Sequence, residues 1–327
     1  MDNSYILGMD GGGTRTTAIV TGIDGSPVCC MTGRSTNYNS VGMETAREIL
    51  SRIMKAINDD HGIDSFSAVC IGTSALFREA DAEEQRALTE TLFRSKHIVL
   101  LSDVNIALES MLEDGPCALA ISGTGSICAL RDEAGELRHT GGWGYILGDE
   151  GSAYHIAMCG IKAAIAAYDG VGPETTLQKM VEVHFGVNDM LELIDRVYDP
   201  PIAREQVSLF AKDVAACADA GDIVAREILL GSALHLAKAM LVLLRPFYGR
   251  EVPLGISGGV FDNNELFRKT FEEEVKKQSH TTRITRLTYP PHVGALFYCR
   301  KILGLPIDES FLKNIGDAHL SERLVKG

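Results

Sequence analysis

The chain alternates short apolar runs with segments of helical periodicity. An apolar run at 5–9 and a second strand ending at Val20 flank a glycine triplet, and Asp24-Gly25 follows as a hairpin turn signal. Apolar positions then recur at helical spacing over 44–58 and end at His61-Gly62. Such alternation is typical of an α/β sheet covered by helices. The pattern next predicts a strand, a helix and a second strand, at 67–72, 82–95 and 97–102.

The same pattern begins again at residue 118. An apolar run leads into Gly123-Thr124, as the first run leads into Gly13-Thr14. A turn at Ala134-Gly135 follows, and Gly135 lies 110 residues after Gly25, just as Gly123 lies 110 residues after Gly13. This internal echo predicts a duplicated domain, in which each half opens with a strand, a Gly-Thr turn and a hairpin.

The rest of the second half is mainly helical. Helical periodicity fills 150–247, and a strand at 252–256 leads into Ser257-Gly258-Gly259 and a helix from near Asn263. We predict an α/β fold of two lobes, 1–117 and 118–327, with the second lobe enlarged by helices and a tail at 304–327 that could return to the first. The breaks in this half are at 170–173, at Pro200-Pro201, and at Pro290-Pro291 after a last strand at 283–289.

Composition and charge narrow the possible partners. The 327 residues, of which 45% are hydrophobic and 23% charged, suffice for two domains with cores of their own. A formal net charge of −13 repels phosphate backbones, so we expect neither nucleic acid nor a membrane surface as the main partner. The eight cysteines form no Cys-x-x-Cys pair, which favours free thiols over zinc or a redox disulfide.

Two apolar segments bear on location. The run at 5–9 is too short for a signal peptide and follows Asp2 rather than a basic segment, so we expect a cytoplasmic protein. The stretch 233–247 is interrupted by charged and histidine side chains and predicts a core helix, not a membrane span. The interrupting residues are His235, Lys238 and Arg245.

Two glycine turns are candidate anion sites. The run Asp10-Gly11-Gly12-Gly13-Thr14 follows a strand, and its bare backbone N–H groups can cradle a phosphate, although a tight hairpin explains it equally well. Asp10 is either a turn residue or a carboxylate that holds Mg²⁺ through water. With Ser122-Gly123-Thr124-Gly125-Ser126 across an interlobe cleft, the two loops would clamp a polyphosphate. At Gly258-Gly259 an adenine or ribose could lie against the turn, or a helix could pack closely.

Asp103 closes a strand and precedes a helix. As a helix cap it would accept hydrogen bonds from the unpaired backbone N–H groups of the first helical turn. As a base it would accept the proton of an acceptor hydroxyl during phosphoryl transfer, for which even an unperturbed pKa of about 3.9 suffices.

The segment at 141–153 is too rich in glycine for a regular element, and it holds Trp143, the one tryptophan of the chain. Glycines would let backbone groups reach a ligand, Trp143 would offer an apolar wall, and Asp149 would accept hydrogen bonds from hydroxyls. The alternative is a capped helix behind a packed Trp143.

These residues resemble the actin, hexokinase and heat-shock-70 superfamily, and within it the N-acetylglucosamine kinases of the BadF/BadG/BcrA/BcrD type. The resemblance covers about 5–303 and is most specific in Ile121-Ser-Gly-Thr-Gly-Ser-Ile-Cys128 and in 141–154, with Ser35-Thr36-Asn37 and Ser102-Asp103 in support. It implies two actin-like (ribonuclease H-like) lobes with an interlobe cleft. It also implies ATP-dependent phosphorylation of an amino sugar, with N-acetylglucosamine and its 6-hydroxyl favoured and N-acetylmuramic acid or glucosamine as alternatives.

The resemblance also implies roles for single residues. Asp103 would be the catalytic base, with ATP and Mg²⁺ as cofactors and a homodimer as a possible assembly. Val293-Gly294-Ala295 would precede the last helices. The amino sugar would meet Asn37, Thr124, Gly142, Trp143, Asp149 and Ala153; phosphates would meet Gly12, Gly13, Thr14, Gly123 and Gly125; adenosine would meet Gly258 and Gly259; Asp10 would hold the metal through water.

Relatives of other classes fit less well. ATP-driven activators of 2-hydroxyacyl-CoA dehydratases or benzoyl-CoA reductases carry a cluster-ligating cysteine where this chain has Ser122, and Cys128 matches a kinase cysteine instead. A transcription regulator would need a helix-turn-helix domain before the first strand. The zinc-binding Cys-x-Cys-Gly cluster of repressor-type sugar kinases is missing from the sequence.

Overall fold

The computed structural model describes residues 4–76, 80–199, 202–318 and 322–324. The chain divides into two compact units, and the first combines the chain up to Glu113 with the chain from Leu287 onwards. Its amino-terminal elements are Tyr5–Gly11 (β1), Arg15–Gly22 (β2), Pro27–Arg34 (β3), Tyr38–Val41 (α1), Met43–His61 (α2), Ala68–Thr73 (β4), Ala82–Thr89 (α3), Ile98–Ser102 (β5) and Asp103–Glu109 (α4).

The second unit is Asp114–Arg286. It contains Cys117–Ser122 (β6), Ser126–Arg131 (β7), Leu137–Gly141 (β8), Ala153–Tyr168 (α5), Leu177–Phe185 (α6), Leu193–Tyr198 (α7), Arg204–Leu209 (α8), Ala211–Asp219 (α9), Ile223–Leu244 (α10), Pro253–Ser257 (β9), Gly259–Asn263 (α11), Glu265–Gln278 (α12) and Arg283–Arg286 (β10), with short 3-10 turns at Met190–Glu192 and Arg245–Phe247. The chain then re-enters the first unit with Pro291–Ile302 (α13), Glu309–Ala318 (α14) and Glu322–Leu324 (β11).

The two sheets repeat one topology. The first has the order β11-β3-β2-β1-β4-β5 and the second β10-β9-β6-β7-β8. In each, three antiparallel strands form a meander and two further strands run parallel to its first strand. The third strands, β3 and β8, begin at Pro27 and Leu137, again 110 residues apart. This repeated strand order confirms the predicted α/β fold of the actin-like kind.

Each unit has its own hydrophobic core. In the first unit, α2 presents Ile49, Leu50, Ile53 and Ile57 at helical spacing to the sheet and ends at Gly62, whose φ of 66° lets the chain leave the helix. In the second unit the core spreads over the helices.

The long helix α10 is apolar enough to cross a membrane by length and composition alone. Ten of its residues are buried, and it packs against α12, α9 and β7 inside the second unit. This packing agrees with the core helix that the sequence predicts, since core helices of soluble domains can be equally long and apolar.

The carboxyl-terminal boundary differs from the prediction. Residues 287–303 are predicted to belong to the second lobe, but α13 packs on β1 and α4 of the first unit. Val293-Gly294-Ala295 lies inside α13, not before the last helices. A Cβ at Gly294 would lie 1.9 Å from the carbonyl oxygen of Ile106, so the glycine allows α13 and α4 to touch backbone to backbone.

Other element ends shift for local reasons. The helix predicted at 82–95 ends at Thr89, and Thr91 has a φ of 68° that no helix continues. The helix predicted from near Asn263 is confirmed as α12, which begins at Glu265 with Asn264 as its cap, and the short helix α11 precedes it. The strand predicted at 283–289 ends at Arg286. Pro200-Pro201, a predicted break, lies outside the described residues.

Candidate functional site

In the first unit, the carboxyl ends of three parallel strands carry the polar residues. Gly11 of β1 pairs with Thr73 of β4, which pairs in turn with Ser102 of β5. Asp10 and Asp103 therefore lie at the same edge of one sheet. Ligands of open α/β sheets bind at such carboxyl edges.

Asp103 is the first residue of α4, and the helix cap is its neighbour. The Ser102 hydroxyl accepts the N–H of Asn105 at 3.1 Å, while Asp103 Oδ1 accepts the N–H of Val104 at 2.8 Å. Burial raises the pKa of Asp103 to about 6 against the lowering effect of backbone hydrogen bonds from Val104 and Asp103 itself. The carboxylate is therefore a stronger base than the unperturbed Asp that the sequence suggests.

Asp10 resists ionisation even more. Burial raises its pKa to about 7, the charge of Asp103 adds to the rise, and Arg15 opposes it. A buried carboxyl beside another carboxyl gains from a nearby cation. Among the described residues no cluster of three or more His, Cys, Asp or Glu side chains forms a metal cage. The carboxyl groups of Asp10 and Asp103 fit Mg²⁺, because this ion commonly keeps several waters and binds one or two carboxylates plus substrate phosphates.

The first glycine loop is open on one side. The N–H of Gly12 donates to the carbonyl of Arg15 at 3.0 Å, and the hydroxyl of Ser35 donates to the carbonyl of Gly12 at 2.9 Å. A Cβ at Gly13 would meet nothing within 4 Å, and neither glycine has a positive φ. Neither backbone conformation nor packing within the protein therefore requires a glycine at position 13, which leaves space for a ligand.

The segment Ser35-Thr36-Asn37 is tied to this loop. The Thr16 and Thr36 hydroxyls are 2.9 Å apart, and Asn37 Nδ2 donates to the Ser74 hydroxyl at 3.0 Å, just beyond β4. Asn37 Oδ1 also accepts the N–H of Asn39 and caps α1. The amide thus has a structural role and stands at the carboxyl edge of the sheet.

In the second unit, the second loop is fastened to the start of α5. The Gly123 carbonyl accepts the N–H of Ala153 at 2.8 Å, and the Thr124 carbonyl accepts that of Tyr154 at 3.4 Å. A Cβ at Gly123 would meet nothing within 4 Å. Gly123 therefore corresponds to Gly13 in openness as well as in position.

Asp149 lies beside this loop. Its φ is 61°, its side chain is buried, and its Oδ2 accepts Arg204 Nη2 at 2.9 Å. Burial raises the pKa of Asp149, whereas Arg204 and backbone hydrogen bonds from Gly144 and Ser126 lower it, and Glu150 adds to the rise.

Gly125 differs from Gly123 because it packs on that ion pair. A Cβ at Gly125 would lie 2.7 Å from Arg204 Nη2 and 2.9 Å from Asp149 Oδ2. This packing explains the glycine without a phosphate. Gly258 is explained in the same way: its φ is 107°, and a Cβ there would lie 2.3 Å from the Ser122 carbonyl oxygen. Gly259 begins α11 and has no such contact.

The segment before Asp149 exposes apolar side chains. Gly141, Gly142 and Gly144 all have positive φ, and Trp143 is 69% exposed. Ser152 caps α5 by accepting the N–H of His155 at 3.1 Å, but the alternative of a packed Trp143 behind that helix does not hold. Trp143 is available as an apolar surface for a ligand.

The structure thus groups the predicted residues by unit. Asp10, the first loop, Asn37 and Asp103 share the carboxyl edge of the first sheet. The second loop and residues 142–153 form one hydrogen-bonded set, with Gly258 packed on Ser122. Sequence reasoning missed Arg15 and Arg204. Arg15 directly follows the glycine loop, which is a usable signal, whereas Arg204 lies 55 residues from Asp149 and gave none.

Two α/β units that repeat one strand order, each with a glycine turn after its first strand, define an actin-like ATPase fold. The chain belongs to the BadF/BadG/BcrA/BcrD ATPase family, which it matches over residues 7–297.

Named relatives cover nearly the whole chain. An N-acetylmuramic acid/N-acetylglucosamine kinase of Clostridium acetobutylicum is 29% identical over 90% of this chain and 98% of its own length. An N-acetyl-D-glucosamine kinase of Dictyostelium discoideum is 26% identical over 90% and 97%. Among solved structures, a candidate N-acetylglucosamine kinase of Chromobacterium violaceum has a TM-score of 0.74 at 20% identity and covers 91% of this chain and 99% of that one. The last similarity shows the shared fold.

Proposed function

We propose that the protein transfers the γ-phosphoryl group of ATP to the 6-hydroxyl of N-acetylglucosamine, with Asp103 as the general base. The observation that carries this proposal is the place and the acidity of Asp103, which stands at the carboxyl edge of the first sheet with a pKa of about 6. A base with a pKa just below neutrality is ionised at physiological pH and still accepts a proton well.

The enzyme class rests on the family and the relatives. The chain is an ATP-dependent sugar kinase of the type that acts on N-acetylglucosamine, N-acetylmuramic acid or glucosamine, as the relatives from Clostridium, Dictyostelium and Vibrio are named. The choice among these sugars, the hydroxyl and the base are our proposal.

In phosphoryl transfer the protein contributes mainly by positioning the reactants and by stabilising the charge of the transition state. The sugar oxygen attacks the γ-phosphorus, the bond from that phosphorus to the bridging oxygen breaks, and ADP leaves with the bond electrons. The hydroxyl proton passes to the Asp103 carboxylate. Because the transition state is loose, this proton moves late, and until then Asp103 also orients the acceptor.

Phosphate binding is assigned to the two glycine loops. In this proposal Gly12, Gly13, Thr14 and Gly123 line the phosphate site, and the open space at Gly13 and Gly123 supports it. The N–H groups of Gly12 and Gly123 already donate to the carbonyls of Arg15 and Gly125, so these two glycines would contribute space rather than hydrogen bonds. Gly125 would act through packing, and Gly258 and Gly259 would lie against adenosine. Asp10 would hold Mg²⁺ through water, and this ion would neutralise phosphate charge.

The sugar is assigned to polar and apolar groups near those loops. Asp149 would accept hydrogen bonds from sugar hydroxyls, and the exposed Trp143 would cover an apolar face of the ring. The remaining groups in this proposal are Asn37, Thr124, Gly142 and Ala153.

A coupled ADP-release assay tests the assignment. It compares glucose, glucosamine, N-acetylglucosamine, N-acetylmannosamine and N-acetylmuramic acid at equal concentration, and phosphorus NMR of the product identifies the hydroxyl. We expect the highest kcat/KM for N-acetylglucosamine. A higher kcat/KM for N-acetylmuramic acid would make that sugar the preferred substrate; it is the other sugar in the name of the Clostridium relative. Turnover of none of the five would refute the proposed function.

A further inference from the structure

Arg204 reaches the second glycine loop from a distant helix. It is the first residue of α8, and its Nη2 lies 2.9 Å from Asp149 Oδ2. Its guanidinium also covers the ring of Tyr145 at 5.2 Å, and that ring makes an edge contact with Tyr154 at 5.0 Å. One arginine thus joins the segment before α5 to the first turn of α5.

The pair is built into the loop itself. Asp149 is 5% exposed and Arg204 is 28% exposed, so water screens this ion pair weakly. A Cβ at position 125 would lie 2.7 Å from Arg204 Nη2 and 2.9 Å from Asp149 Oδ2, so a side chain there would have to displace the pair. The left-handed backbone of Asp149 is uncommon for a residue other than glycine, and such a conformation persists only where its surroundings hold it.

We propose that Arg204 is a positioning residue for the sugar: it holds the Asp149 carboxylate in the orientation that accepts sugar hydroxyls and fixes residues 144–149 against the second glycine loop. This inference rests on the proposed function, in which Asp149 binds the sugar. Arg204 itself acts through Asp149.

The charge of Arg204 also governs the protonation of Asp149. Burial raises the pKa of Asp149 and Arg204 lowers it, so loss of Arg204 raises this pKa further. A protonated carboxyl loses acceptor capacity. Sugar binding by a variant without Arg204 therefore needs a higher pH than binding by the wild type. The other titratable groups that face the pair are Glu150, Tyr145 and Tyr154, and Tyr198 interacts in turn with Tyr154.

The test compares Arg204→Met, Arg204→Lys and the matched control Arg268→Met. Arg268 is an equally shielded arginine of the second unit that pairs with Glu272 on α12. We expect Arg204→Met to raise the KM and Kd for the sugar about tenfold or more, which corresponds to about 1.4 kcal/mol, with the KM for ATP changed less than about twofold. Arg204→Lys should restore part of the loss, and Arg268→Met should bind and turn over as the wild type does.

The pH dependence separates positioning from mere stability. Sugar Kd, measured through the fluorescence of the sole tryptophan, Trp143, should show an acidic midpoint that moves to higher pH in Arg204→Met. A double-mutant cycle separates a loss of sugar binding through Asp149 from a general loss of folding. In an Asp149→Asn background, Arg204→Met should change the Kd for the sugar almost no further.

The outcomes distinguish the two claims. A wild-type protein that turns over no sugar overturns the proposed function and this inference with it. Normal wild-type turnover together with an unchanged sugar KM in Arg204→Met overturns the inference alone. A raised Kd with no shift of the midpoint, or full additivity in the cycle, overturns it too.

Discussion

Asp10 and Asp103 lie at the same edge of one sheet, and the negative charge of Asp103 helps burial to raise the pKa of Asp10. Two neighbouring carboxyl groups that resist ionisation destabilise the folded protein at neutral pH. Proteins keep such groups chiefly at functional sites.

Asp103→Asn should lower kcat by about 10²–10⁴-fold, because an amide cannot accept the proton of the acceptor hydroxyl. The KM for ATP should stay within about twofold of wild type. Steady-state kinetics measures both. Asp64→Asn is the matched control, since Asp64 is an exposed carboxylate of the same unit that pairs with Arg94. Normal turnover of Asp103→Asn would remove Asp103 from the mechanism.

The acidic side of the pH profile should report Asp103. Log kcat/KM falls below about pH 6, where Asp103 takes up a proton, whereas Mg²⁺ bound beside Asp10 would lower the pKa of Asp10 and keep it ionised. The profile is recorded at saturating ATP and Mg²⁺ between pH 5 and 9. A rate that stays flat down to pH 5 would contradict the raised pKa of Asp103.

Asp10→Asn should stabilise the protein at high pH. The folded-state pKa of about 7 lies above the ordinary value of 3.8, so stability falls as pH rises between these values and the charged form costs stability above 7. We expect a gain on the order of 1–3 kcal/mol at pH 8 that shrinks towards pH 5. Thermal unfolding in the presence of a chelator measures it. A loss of stability at both pH values would show that Asp10 makes structural bonds instead.

The two kinds of glycine should respond differently to alanine. At Gly123 a Cβ has room and φ is not positive, so Gly123→Ala should keep its stability within about 1 kcal/mol while the KM for ATP rises about tenfold. Gly115→Ala is the control, because that site is equally open but remote from any proposed role. Equal ATP KM values for both variants would argue against phosphate binding at Gly123.

Gly258→Ala should instead unfold more easily. Its φ of 107° and the 2.3 Å approach to the Ser122 carbonyl leave no place for a methyl group, and we expect a loss on the order of 1–3 kcal/mol. Chemical denaturation checks the loss. Wild-type stability would mean that the turn relaxes at little cost.

The sequence determined the repeated opening of each half, a strand, a Gly-Thr turn and a hairpin, and the positions of the two glycine loops. Turn glycines and strand periodicity act over a few residues, so they could be recognised locally, and the 110-residue echo located the second unit. It also singled out Asp10, Asp103 and Asp149 by their places at element ends. Element ends were less certain, as α3 shows.

Only the tertiary structure decided what each of these residues does to its surroundings. Gly123 and Gly125 read alike in the sequence, yet one is open and the other packs on Arg204. Burial raises the pKa of Asp103, α13 returns to the first unit through its contact at Gly294, and Arg204 meets Asp149 from 55 residues away. Such properties depend on which distant segments come together, because burial and ion pairing are set by three-dimensional neighbours and not by sequence neighbours.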